Sequence, residues 1–213
     1  MIWNKQNPYL AEVISAKLLS GKNSNKEIMH YKISLGESKI NYDPGDSLGV
    51  IPLNNHQLVT DIINRLGYSP LNIVEGYDKT IFELLESEFE ILSPTNRFIA
   101  YINENIHHTE LNKIIKNQDK TLLSQFKYGK SILDFLNLDS KFNIDLNKFL
   151  SLLKPLQHRA YSISSSLLKY PKEVHLTVST QRWEKNSKKY GGVCSTFLSD
   201  NCYQGSKIKV FLI

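Results

Sequence analysis

The stretch "HRAYSISSS", residues 158–166, decides how this chain is divided, because a long helical region ends just before it and strands resume with it. Alternation along an extended segment puts Arg159 and Tyr161 on one face and Ser162 on the other. Two readings fit these residues. One is an edge strand with an amphipathic tyrosine and a solvated arginine. The other is a binding strand, in which the guanidinium pairs with phosphate oxygens while the ring stacks on a flat conjugated ligand.

Upstream, "LAEVISAKLL" and "EIMHYKISLG" alternate as half-buried strands, and "YDPGDSLGVIP" is a Pro-Gly turn leading into an apolar strand. At Asn54 the period changes. Leu58, Val59, Ile62, Ile63 and Leu66 form a helical stripe, with Asn54 or Asn55 as N-cap and Gly67 just past the end. "KTIFELLESEFE" continues the helical region. "SPTNRFIAYINENI" predicts Ser93 as N-cap with Pro94 at the first helical position. "TELNKIIKN", "KSILDFLNL" and "DLNKFLSLLKPL" are short helices, the last capped by Asp145 and stopped by Pro155.

Downstream, "VHLTVSTQRW" has strong strand character, "KNSKKYGG" reads as a polar loop, "VCSTFLSD" as a short helix and "KIKVFLI" as a strand. The order is therefore β, then α, then β, without β-α-β alternation. That argues against a doubly wound parallel sheet and predicts an antiparallel β unit, residues 1–53 and 157–213, interrupted by a helical insertion over 54–156.

Composition narrows the function classes. With 41% hydrophobic residues in 213, the chain can bury a sizeable core. A charge of +5 raises nucleic acid as a partner, but the lysines are scattered among asparagines and "KNSKK" is the densest basic run, so a solvated surface is expected instead. No charged leader with an apolar stretch opens the chain, and no window approaches the length of a membrane span, so the expectation is a cytoplasmic protein without a membrane partner. Cys194 and Cys202 are too few for a disulfide framework and lack metal spacing, which predicts reduced thiols. His107 and His108 point different ways on a helix and suit a surface pair, His30 and His175 lie in strands as packed or solvated residues, and no metal site is expected. Asp43 and Asp46 of "DPGD" suit turn chemistry, with Gly45 and Asp46 fixing the entry of the following strand.

"GGVCS", residues 191–195, is the second candidate segment. Two glycines before a helix start let the backbone approach a ligand, with the N–H groups of Val193, Cys194 and Ser195 aimed at an anion. An ordinary glycine-rich loop before a capped helix fits equally well. Together, a cation with a stacking ring and a helix N-terminus are what a dinucleotide-like molecule requires.

In their order, "RAYSISSS", "EVHLTVSTQRW" and "YGGVCSTFL" resemble the FAD-binding domain of the ferredoxin-NADP reductase superfamily. With "NPYLAEVISAKLLS", "YDPGDSLGVIPLNN" and the helical insertion, the likeness narrows to the diflavin reductases, and among them to NADPH-sulfite reductase flavoproteins. The resemblance implies an FAD-binding antiparallel β-barrel split by an all-α connecting domain. It implies that Arg159 pairs with the FAD diphosphate, that Tyr161 stacks on the isoalloxazine, and that Ser162 lies near flavin N5 and assists hydride transfer. Thr177, Val178 and Ser179 match the strand whose backbone meets the ring edge. Gly192, Val193, Cys194 and Ser195 match the diphosphate loop, and Trp183 falls where relatives place an aromatic near adenine.

His158 stands where relatives often carry proline, and Cys194 where alanine or serine is usual, which raises the question of an oxidisable thiol. Diflavin reductases also carry an FMN domain before this region and an NADPH domain after it. The chain therefore reads as a fragment of an NADPH-dependent oxidoreductase, whose partners are those domains and a sirohaem sulfite reductase hemoprotein. A different diflavin acceptor, as in P450 reductases, and a non-catalytic flavin-binding or docking remnant are the alternatives.

Overall fold

Period-two alternation builds the first strands: β1 (Tyr9–Leu18), β2 (Glu27–Ser34) and β3 (Ser47–Ile51). A computed structural model describes residues 3–43, 45–185 and 188–213. The chain then runs through α1 (His56–Leu66), β4 (Ile73–Val74), β5 (Lys79–Thr80), α2 (Ile81–Ser87), β6 (Phe89–Glu90), α3 (Asn96–Asn105), α4 (Thr109–Lys116), α5 (Lys120–Lys127), α6 (Ile132–Leu136) and α7 (Leu146–Leu152). It returns to strand with β7 (Lys154–Pro155), β8 (Arg159–Ser162), β9 (Glu173–Thr180), β10 (Arg182–Lys185) and β11 (Lys188–Gly191), and ends with α8 (Val193–Asn201) and β12 (Lys207–Leu212).

Two units divide these elements: residues 1–53 with 157–213, and residues 54–156. In the first, six antiparallel strands lie in the order β8-β3-β12-β1-β2-β9. Every second residue of a strand turns inward, so Ala11 and Val13, Tyr31 and Ile33, Leu48 and Val50, Val174, Leu176 and Val178, and Ile208 and Val210 form one core, closed on one side by Leu198 of α8. The sheet is not a fully paired barrel. Between its two outer strands, β8 and β9, the paired ladder gives way to an isolated bridge, Ile163 to Leu176, and one further backbone bond from Ser164 N–H to His175 C=O, because the chain leaves strand geometry in the serine run right after β8.

In the second unit, the apolar stripes of α1 to α4, α6 and α7 converge on Ile62, Leu84, Phe98, Leu111, Phe135 and Phe149. Asn55 caps α1 by accepting from Leu58 N–H, and Gly67 ends it in a left-handed conformation at φ 77°. Asp145 caps α7. The α3 cap differs from the sequence expectation: Thr95, not Ser93, accepts from Phe98 N–H, while the backbone N–H of Ser93 is held by Glu90. Nor is this unit wholly helical, since β4 pairs with β5 and β6 with β7 in two-residue ladders. Those ladders occupy turns between helices, where the apolar spacing carries no strand period.

The loop expected over "KNSKKYGG" is in part a hairpin, with β10 pairing antiparallel to β11. Asn186 and Ser187 of that stretch, and Pro44 of "DPGD", lie outside the described residues. Gly45 has φ 106°, a conformation that suits only glycine, and Asp46 closes the turn by accepting from Asp43 N–H at 2.9 Å.

Candidate functional site

β8 lies at the edge of the sheet, with Tyr161 opposite Leu48 and Arg159 opposite Val50 on β3. Leu48 and Val50 face the core, so the same side of β8 carries Tyr161, half-buried against that core, and Arg159, which is exposed. The Arg159 guanidinium makes no hydrogen bond or ion pair among the described residues. An arginine with five free donors at a sheet edge can pair with an external anion. Ser162 turns to the other face, exposed, and its hydroxyl has no partner among the described residues.

α8 begins at Gly192, which as N-cap supplies no side chain, and its first intrahelical bond runs from Thr196 N–H to Gly192 C=O. The N–H groups of Val193, Cys194 and Ser195 precede that bond and meet no acceptor among the described residues, leaving three donors at the positive end of the helix. Gly192 differs: its own N–H is committed to Gln181 C=O at 2.9 Å. The Ser195 hydroxyl is also committed, accepting from Gln181 N–H at 3.1 Å and contacting Gly192 C=O. Gly191 is required by close approach, since a Cβ there would fall 2.3 Å from Thr196 Cγ2.

Three sets of contacts bring these elements together. Gln181, the residue after β9, grips the start of α8 through its backbone. Cys194 of α8 points into the core, its thiol donating to Val50 C=O at 3.8 Å with Tyr161 and Arg159 beside it. The Ile163 to Leu176 bridge then returns from β8 to β9. Burial pushes the Cys194 thiol up to about 11, against the opposing pull of the Tyr161 hydroxyl and the Arg159 charge. Burial likewise raises the Tyr161 hydroxyl well above its usual range, with Cys194 adding to the effect. Both groups are neutral at physiological pH, so neither offsets the positive charge of Arg159 or of the helix end.

On β9, Val178 is buried in the core and can offer a ligand only its backbone, while Thr177 and Ser179 are exposed on the opposite face. Trp183 stacks on its cross-strand partner Tyr190, rings 6.0 Å apart and 15° from parallel, in the β10–β11 hairpin, and its buried indole N–H lacks an acceptor among the described residues. Gln181 escaped the sequence reading because its contribution is entirely backbone. So did Ser164 and Ser165, whose hydroxyls fasten the seam between β8 and β9.

An unpaired guanidinium, a half-exposed phenol ring and three free amides at a helix start form a donor set matched to a flat ring system with a diphosphate. Residues 3–197 match the family described as the FAD binding domain, and the chain belongs to that family. FAD is therefore the cofactor of this chain. Among its relatives, the sulfite reductase (NADPH) flavoprotein alpha-component of Vibrio parahaemolyticus is 33% identical over 99% of this chain and 34% of its own length. The proteins of the same name from Bacillus subtilis and Zymomonas mobilis are each 31% identical over 99% of this chain, which covers 35% and 34% of them. The chain thus spans about a third of the length of these curated relatives.

Proposed function

We propose that this chain is the FAD-holding part of an NADPH-dependent diflavin oxidoreductase of the sulfite reductase type. The observation that carries the reading is the contact of Cys194 with Val50 beside Tyr161 and Arg159, which joins the free amides of α8 to the cation and ring of β8. In this reading Arg159 and the amides of Val193, Cys194 and Ser195 hold the diphosphate, and Gly192 keeps the approach open. Tyr161 would stack on the isoalloxazine, the backbone of Thr177, Val178 and Ser179 would meet the ring edge, and Trp183 would border the adenine. The exposed hydroxyl of Ser162, without a partner among the described residues, would be free to hydrogen bond to the bound flavin and so to assist hydride transfer.

Bound FAD supplies hydride acceptance from NADPH and release of electrons one at a time. The protein's work is to orient the ring and fix its electrostatics. The NADPH and FMN sites belong to further domains of the parent protein, in the cytoplasm, with a sirohaem sulfite reductase hemoprotein as the final partner. The six-strand order and the Ile163 to Leu176 bridge support a barrel closed between β8 and β9, and residues 54–156 act as the connecting domain. Among the described residues no helix is long and apolar enough to cross a membrane.

Titrating the purified chain with FAD tests the binding reading: a yellow one-to-one complex with quenched flavin fluorescence is expected, and a folded chain that ignores FAD overturns it. Fusion to NADPH and FMN domains tests the acceptor, with NADPH-driven reduction of the sulfite reductase hemoprotein as the expected result.

A further inference from the structure

The seam between β8 and β9 is built differently from the rest of the sheet. After the Ile163 to Leu176 bridge, Ser164 N–H still donates to His175 C=O at 2.9 Å, but the backbone ladder then stops. Beyond that point β9 presents His175 N–H and Glu173 C=O along the same edge, two residues apart, and no strand among the described residues meets them. Side chains fill the gap. His175 N–H donates to Ser165 Oγ at 2.9 Å, Ser165 Oγ lies 2.6 Å from the Tyr42 hydroxyl, and the Tyr42 hydroxyl donates to Glu173 C=O at 3.0 Å. Each hydroxyl has one proton, which fixes the direction of the chain: His175 N–H to Ser165, Ser165 O–H to Tyr42, Tyr42 O–H to Glu173. Two hydroxyls from the β2–β3 connection and the serine run take the place of a missing strand.

We propose that Ser165 is a positioning residue for the flavin: its hydroxyl pins the strand bearing Ser162 against the strand bearing Thr177, and so sets the separation of two groups that meet the ring. The proposal rests on the FAD reading above. Ser162 immediately precedes the bridge residue Ile163, and Thr177 immediately follows its partner Leu176. Any slip at Ser165 therefore moves one site residue past the other. Removing the hydroxyl leaves His175 N–H, on a residue only 5% exposed, without its acceptor.

The test compares Ser165→Ala and Ser165→Thr with the wild-type 213-residue chain, well below the melting temperature of each. Fluorescence titration gives the FAD Kd, and visible circular dichroism at saturating FAD reports the ring's surroundings. Ser165→Ala is expected to raise Kd by about tenfold and to alter the bound-flavin dichroism, while Ser165→Thr restores both. A purely structural role would lower Tm and leave the saturated spectrum unchanged. Wild-type Kd and dichroism in Ser165→Ala, or a Ser165→Thr chain as impaired as the alanine variant, overturns the proposal. Should Ser165→Ala not fold, Tyr42→Phe breaks the same hydroxyl chain and is read the same way: altered dichroism supports the proposal and an unchanged spectrum sinks it. A wild-type chain that takes up no FAD overturns the functional reading as well, which separates the two failures.

Discussion

At the scale of single residues, Arg159 is a cation with no hydrogen bond or ion pair among the described residues and Tyr161 keeps part of its ring exposed, which leaves both available to a ligand. Arg159→Ala and Tyr161→Ala should each weaken FAD binding by about 2 kcal/mol, roughly thirtyfold in Kd, the first through an unpaired diphosphate and the second through lost stacking. Titration of both variants checks this, and unchanged affinity in both contradicts the assignment. Cys194 and Cys202 behave as small buried hydrophobes. Burial holds their thiols up to about 11 and about 12, from an ordinary 9.0, Cys194 adding to the effect at Cys202. The folded state thus keeps these protons longer than the unfolded chain does. Stability from the thiols is complete below pH 9 and is lost as pH rises through the folded values. Between pH 9 and 11, Cys194 accounts for a loss on the order of 2 kcal/mol. Tm of the wild type should therefore fall more steeply over that interval than Tm of Cys194→Ala.

Elements are held by a few residues that the strand and helix patterns do not single out. One η nitrogen of Arg65, in α1, donates to the carbonyls of Leu136, Asp139 and Phe142 at 2.6, 2.8 and 3.0 Å, while its Nε reaches Asn137. A single guanidinium thereby satisfies the open C-terminal end of α6 and the turn after it. Arg65→Ala should cost roughly 3 kcal/mol, read from urea denaturation followed by far-ultraviolet dichroism. In β3, Gly49 faces the Phe211 ring directly across the ladder, and a Cβ there would lie 2.7 Å from Phe211 Cζ and 3.0 Å from Ile213 Cδ1. Gly49→Ala should push β3 from β12, destabilise the sheet by about 1–3 kcal/mol and, because β3 carries β8, weaken FAD binding. Thermal melts and the same titration measure both effects. The sequence placed strand at β3 correctly, but the need for glycine there was hidden, since Phe211 lies far along the chain and becomes its neighbour only through strand pairing.

For the whole molecule, a ligand that binds only the folded state must raise its stability by mass action. FAD at a hundredfold excess over Kd should add about 2.7 kcal/mol, or about 5–10 °C in Tm for a chain of this size; a Tm indifferent to FAD would contradict a folded-state site. The residues by themselves determined the β, α, β order, the stripes of α1 and α7 with their caps, and the two segments bearing Arg159, Tyr161 and the glycine-led helix, because periodicity, capping and glycine use are local properties of the chain. What only the tertiary structure decided is how those segments meet: Gln181 holding α8 by its backbone, Cys194 turned inward against Val50, and Ser165 with Tyr42 completing the edge of β9. Those contacts join groups remote in sequence through backbone atoms and hydroxyls that every residue or many residues possess, so no local pattern announces them and only the folded path of the chain selects which ones pair.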